Sequence, residues 1–222
     1  MKFKLALVAV AAAASFGAQA AVITLDDFTL NQVVTVSGSP SLAGAGTNFT
    51  QRSVSISAPA SNAVNPNIVI GTNTVGGVVG NYLQISGGNA SAYTSSVTWT
   101  FNSTVLAALA NSTWAIELNQ VFLDETVTVG GNLRTSAQTG TNVTLASGSG
   151  AFANPFSVTF ASAINADSTW SLLKATYTCN TGFTLTDNGT CGRNTTTVPE
   201  PGTIALLGLG LLGAGALRRK VK

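Results

Sequence analysis

The chain has 222 residues, of which 45% are hydrophobic and only 8% charged, and it contains no histidine. Its formal charge of +2 is unevenly placed: residues 21–198 hold four cations (Arg52, Arg134, Lys174 and Arg193) against seven carboxylates, while the stretches on either side are basic. These figures exclude a nucleic-acid-binding face, which needs clustered cations, and histidine-dependent nucleophilic catalysis; zinc sites built from histidine or several cysteines are excluded too, because Cys179 and Cys191 are the sole cysteines.

Lys2 and Lys4 precede an unbroken apolar run from Leu5 to Ala14, and Ala18-Gln19-Ala20 supplies the small side chains that a signal peptidase reads. Residues 1–20 therefore read as a secretory signal peptide, with cleavage before Ala21. The run is shorter than the ~20 residues of a spanning helix.

Residues 21–178 are predicted to form one all-β domain. Val97-Thr98-Trp99-Thr100-Phe101 and Phe156-Ser157-Val158-Thr159-Phe160 alternate apolar with polar side chains, as do Val54–Ser57, Leu83–Ile85, Trp114–Leu118 and Val143–Leu145. Period-2 patterning with β-branched and aromatic residues marks half-buried strands. Ser37–Pro40, Ala43–Gly46, Gly76-Gly77, Gly87–Asn89, Gly130–Asn132 and Gly148–Gly150 punctuate them as turns. About ten to twelve short strands result, enough for an antiparallel β-sandwich of two face-to-face sheets. Thr104–Ala110 breaks the alternation and reads as a short helix between strands.

Cys179 and Cys191 flank a segment with a turn signal at Asp187-Asn188-Gly189. In an exported protein they are expected to form a disulfide, which would contribute roughly 3 kcal/mol by loop closure. Residues 179–198 thus read as a stapled hairpin and linker. Beyond it, Ile204–Leu217 is apolar throughout, and Arg218, Arg219 and Lys220 follow at once. This is read as a transmembrane helix extended by snorkelling side chains, with its basic flank on the cytoplasmic side.

Val198-Pro199-Glu200-Pro201, the apolar stretch and the basic cluster, in that order, resemble the PEP-CTERM sorting signal of Gram-negative bacteria. The resemblance covers residues 199–222 and implies a precursor held transiently in the inner membrane, exosortase processing near Pro199, Glu200 and Pro201, and delivery to the cell surface or the extracellular space. It further implies association with exopolysaccharide in biofilm or floc. The prolines fix φ and disfavour helix just before the bilayer, which leaves an extended strip for a protease. The segment Ile23–Gln32, with Arg52 and the two alternating segments around Trp99 and Phe156, is similar to the jelly-roll-like β-sandwich carried by many such proteins.

Catalysis by paired carboxylates would draw on Asp26, Asp27, Glu117, Asp124, Glu125, Asp167 and Asp187, each of which has an ordinary role as a turn or solvated carboxylate. The chain is expected to be non-enzymatic and to need no cofactor. Asp26, Asp27, Asp124 and Glu125 are the hard oxygen donors available to calcium, without a DxDxDG-type loop to hold it. A carbohydrate- or calcium-binding adhesin module is the alternative reading, and a secreted glycan-active enzyme the third. Trp99, Trp114, Trp170, Tyr82, Tyr93 and Tyr177 are the candidate sugar platforms, with Trp99 assigned to the core by its strand spacing. The partners expected are signal peptidase, exosortase, the inner membrane and exopolysaccharide, with no nucleic acid.

Overall fold

In a computed structural model of the protein, residues 20–35, 41–57, 66–87, 92–162 and 166–193 are described. Ala18, most of the expected turns at 37–40 and 87–89, Pro199, Glu200, Pro201, the apolar stretch and Arg218, Arg219 and Lys220 lie outside them. The chain divides into two units, residues 1–192 and 193–222; the two large sheets belong to the first.

In chain order the strands are β1 (Ala20–Asp26), β2 (Gln32–Thr35), β3 (Ser41–Ala43), β4 (Phe49–Ser57), β5 (Asn67–Val75), β6 (Val78–Ser86) and β7 (Tyr93–Phe101). A helix, α1 (Ser103–Leu109), leads into β8 (Ser112–Leu123), β9 (Val127–Val129), β10 (Asn132–Arg134), β11 (Asn142–Ser149), β12 (Phe156–Ser162) and β13 (Ser168–Cys179). A final hairpin pairs β14 (Phe183–Leu185) with β15 (Cys191–Arg193). One large sheet has the order β11-β8-β13-β6-β5-β2, with β1 also on β13; the other runs β10-β9-β12-β7-β4-β3. All pairings in these two sheets are antiparallel. The expected all-β antiparallel class is therefore what the chain adopts. Strands are more numerous than alternation predicts because β3, β9, β10, β14 and β15 have three residues each, too few to display a period.

The two alternating segments singled out in the sequence are direct neighbours: Trp99 is opposite Phe156 and Val97 opposite Val158. Their inward faces meet the other sheet. Phe152 stands 4.9 Å from Trp114 on β8 and 5.7 Å from Phe101 on β7, ring centre to ring centre, and Phe160 on β12 lies 5.8 Å from Trp170 on β13. These aromatic contacts tie the sheets into one core. The helix forms where expected. Asn102 caps it, its side-chain oxygen accepting from the Val105 amide at 3.2 Å, and Val105, Ala108 and Leu109 turn one face inward.

A charged group lies within this core. The Arg52 and Asp26 side chains are 0% and 1% exposed, and Arg52 Nη1 donates to Asp26 Oδ2 at 2.6 Å. Arg52 Nε donates to Gln32 Oε1 at 2.9 Å, and Nη2 donates to the Leu30 carbonyl. The same Asp26 Oδ2 accepts from the Trp99 indole at 2.7 Å, and Oδ1 accepts from the Phe28 amide at 2.9 Å. Gln32 in turn donates to the Ser41 carbonyl at 2.8 Å. One guanidinium thereby joins the end of β1, the following turn, β2 and β3 to β4 and β7. Removing one partner strands a buried charge, so Arg52→Met should destabilise by about 3–5 kcal/mol. Adding Asp26→Leu should cost less than the sum of the single effects by about 1–3 kcal/mol. Urea denaturation followed by tryptophan fluorescence reads both.

A second buried polar contact sits at the other end of β7. The Tyr93 hydroxyl donates to the Ala166 carbonyl at 2.9 Å, and burial pushes its pKa up from 10.0 to about 12. The folded state holds the phenol proton more tightly than the unfolded chain does. This contribution to stability is complete below about pH 10 and is lost as the pH rises toward 12. Tyr93→Phe should flatten the fall in stability across that interval, measured as the urea midpoint against pH.

Candidate functional site

Two places bring chemistry-bearing residues together. The first is the exit of the folded body. Cys179, the last residue of β13, is disulfide-bonded to Cys191, the first of β15, with Cα atoms 5.4 Å apart. Between them the chain makes the expected turn: the Thr186 amide donates to the Thr190 carbonyl at 2.8 Å, and the Gly189 amide to the Thr186 carbonyl at 2.9 Å. The Tyr177 hydroxyl donates to the Gly189 carbonyl. Asn111 completes the seat, its carbonyl accepting from the Asn180 amide at 2.9 Å and its side chain donating to the Cys191 carbonyl at 3.3 Å. The hairpin is thus held to β13 and to the start of β8 by one covalent and several hydrogen bonds. Ala20 and Ala21, the expected cleavage junction, open β1 opposite Thr178 and Tyr177 of the same β13 end.

The second is a groove of about 390 Å³ on the outer face of the larger sheet. Gly76 and Gly77, with φ of 57° and 81°, make the two-residue turn between β5 and β6, a conformation that favours glycine at both places. The hairpin arm then curls over its own sheet. Asn73 faces Gly80 in the ladder, yet its side chain donates to Gln84, whose ladder partner is Val69. Gly71 allows the bend: its φ is 141°, and a Cβ there would lie 2.0 Å from Asn31 Oδ1. Thr74 and Val75 on the arm overhang a floor formed by Val69, Gln84 and Thr169, and Phe122 lines the groove on the β8 side.

Phe122 faces outward because of a β-bulge. Along β8 the even-numbered residues Ser112 to Gln120 are all buried, and simple alternation would send Phe122 inward. The pairing with β13 instead jumps from Phe122–Thr169 to Gln120–Trp170, leaving Val121 as an extra residue. One inserted residue reverses the parity beyond it. Phe122 is 43% exposed, while Leu123 is buried. The sequence carries the signal in the unbroken run Val121-Phe122-Leu123, although that run alone does not say which residue bulges. The aromatic residues considered as platforms, by contrast, are all buried: Trp99, Trp114, Trp170, Tyr82, Tyr93 and Tyr177.

The carboxylates are largely engaged within the fold. Asp26 is consumed by Arg52 and Trp99, and Asp27 accepts from the Thr29 amide and hydroxyl at 3.2 and 2.7 Å. Asp124 accepts from the Asp167 amide at 2.7 Å, and Asp167 accepts from Ser86 Oγ at 2.8 Å and the Gly87 amide at 2.9 Å. Glu117 pairs with Lys174 at 3.2 Å. Glu125 is exposed beside Asp124. Among the described residues no three cysteine, aspartate or glutamate side chains converge into a metal-holding group, and Asp26, Asp27, Asp124 and Glu125 do not assemble as one donor set.

Residues 197–220 match the PEP-CTERM protein-sorting motif. The chain therefore bears the signal of an exported protein that exosortase sorts toward the cell surface through a membrane-anchored precursor. No curated protein and no solved structure matches it. The motif begins six residues after Cys191, so the stapled hairpin is the last described structure before it. Replacing both cysteines with alanine should cost about 3 kcal/mol and expose the 180–190 loop to limited proteolysis while β1–β13 remain protected. Intact-mass and peptide-mass analysis of the two forms tests this.

Proposed function

We propose that the chain is a non-enzymatic surface or extracellular-matrix protein of a Gram-negative bacterium, associated with exopolysaccharide. In this reading signal peptidase cleaves before Ala21, residues 204–217 span the inner membrane, and exosortase cuts near Pro199, Glu200 and Pro201. Domain limits follow from it: signal peptide 1–20, jelly-roll-like sandwich 21–178, stapled hairpin and linker 179–198, and sorting signal 199–222. Repeated crossing of the chain between the two sheets supports the jelly-roll description. The observation that carries the reading is the sorting motif placed directly after a disulfide-stapled all-β body. That order gives an export-compatible domain, then a glutamate flanked by prolines, then an apolar stretch with a basic flank.

A carbohydrate-binding role is the second reading. It is favoured by one observation, the outward-turned Phe122 beside a groove of amide and hydroxyl side chains. No cofactor is assigned in either reading.

Alanine at Pro199, Glu200 and Pro201 together should leave the uncleaved precursor in the inner membrane. Fractionation with immunoblotting against the β-body distinguishes the larger membrane form from the exported one. Normal release of the shortened protein from this variant would sink the sorting assignment.

A further inference from the structure

The geometry points to a neutral polysaccharide chain as the occupant of the groove beneath the β5–β6 arm; this rests on the carbohydrate reading above and names its site and ligand class. Three observations converge. First, the ladder places Val33, Val69, Gln84, Thr169 and Phe122 in one row across β2, β5, β6, β13 and β8. A linear ligand lying across the strands would meet the exposed Phe122 ring, the Gln84 amide and the apolar Val69 and Val33 in succession, above a buried Thr169. Alternating C–H faces and hydroxyl edges of a sugar chain present the complementary sequence.

Second, the floor of the groove is built on backbone that is already used: Val69, Gln84 and Thr169 each have a ladder partner on both sides. An extended peptide lying on the floor has no edge to join there; the free edges belong to the overhanging arm, where Gly71–Val75 and Val78–Tyr82 pair only with each other. Recognition on the floor falls to side chains, which suits a ligand without a peptide backbone.

Third, no lysine or arginine lines the groove, and its one charged lining residue is Asp167. Arg52 and Arg134 are buried, Lys174 is paired with Glu117, and Arg193 lies on β15. Residues 36–40, 58–65, 88–91 and 163–165 contain no lysine or arginine. A uronate or sulfate polymer would meet a carboxylate with no compensating cation, whereas a neutral polymer meets none of that penalty. The parity reversal at Val121 adds weight, since bulges of this kind re-aim side chains at functional surfaces.

The test uses the full chain in a zwitterionic detergent that lacks a sugar headgroup. Retardation in native gels containing dextran, mixed-linkage β-glucan or galactomannan is compared with gels containing alginate or polygalacturonate. At least one neutral polymer should retard the protein, and the acidic ones should not. Phe122→Ala and Gln84→Ala should each weaken the apparent affinity by about tenfold with unchanged near-ultraviolet circular dichroism, and Phe122→Tyr should retain binding. Undiminished binding by both alanine variants would place the sugar elsewhere and overturn the groove assignment, leaving the carbohydrate reading intact. Retardation by acidic polymers alone would overturn the ligand class. Failure of every polymer would remove the carbohydrate reading itself, and the groove assignment with it.

Discussion

A guanidinium shut away from water sets the organisation of this fold. Arg52 has no exposed side-chain surface, and its partners come from the end of β1, the turn after it and β2, while Asp26 also binds the Trp99 indole on β7. Desolvating such a pair costs nearly as much as the pairing returns, so an apolar replacement of both partners could be equally stable. Its value is geometrical. A hydrophobic core accepts many near-equivalent packings, whereas a buried fork of donors accepts few. Displacing β1 or β2 from its register would leave Asp26, Gln32 or the Leu30 carbonyl unsatisfied in a dry interior. Phe28, held at a φ of 58° and fully buried, shows how tightly the turn is specified.

The order of the sheets gives this organisation a direction in time. β1 pairs with β13, whose residues follow it by about one hundred and fifty positions. The larger sheet therefore closes only when nearly the whole body is available, and such non-local pairing is slow to form. The disulfide comes directly after β13 and locks the segment between Cys179 and Cys191 onto the body. Closure of the sheet, the covalent staple and the sorting motif follow one another along the chain in that order.

Much of the fold was legible because side-chain alternation is a local property. The segments around Trp99 and Phe156 announced themselves as strands; a helix was legible at 104–110, one residue from its place at 103–109, and turns at 76–77 and 187–189. The disulfide followed from compartment and spacing. Strands of three residues were invisible, since a period needs more positions than they have. Asp26 was read as a calcium donor because its chemistry permits that; its burial against Arg52 depends on two strands meeting that are distant in sequence. The aromatic platforms failed for a related reason. Trp99 was placed in the core by its strand spacing; abundance of tryptophan and tyrosine says nothing about the face the other five occupy, and they serve the core too. Phe122 was overlooked because alternation assigns it to the inside, and the bulge that overrides alternation is a property of two strands together.

The distribution of charge binds addressing and surface chemistry into one account. The body has few cations, and the described structure withdraws most of them from the solvent: two are buried arginines and the lysine is neutralised by Glu117. Arg134 is held by Gln120 at 2.9 Å and by Thr141 at 2.6 Å, and burial lowers its pKa. Apart from the exposed carboxylates of Asp27, Asp124, Glu125 and Asp187, contacts made by the remaining surface must then come from hydroxyl, amide and apolar groups. Such contacts are weak singly and insensitive to salt, so useful retention would come from repetition along a polymer rather than from one strong pair. The other basic residues, Arg193 on β15 apart, lie before and after the body in the sequence, where a membrane can read their charge. A body that leaves few cations exposed beside its carboxylates lacks the basic patch that would capture any polyanion it met.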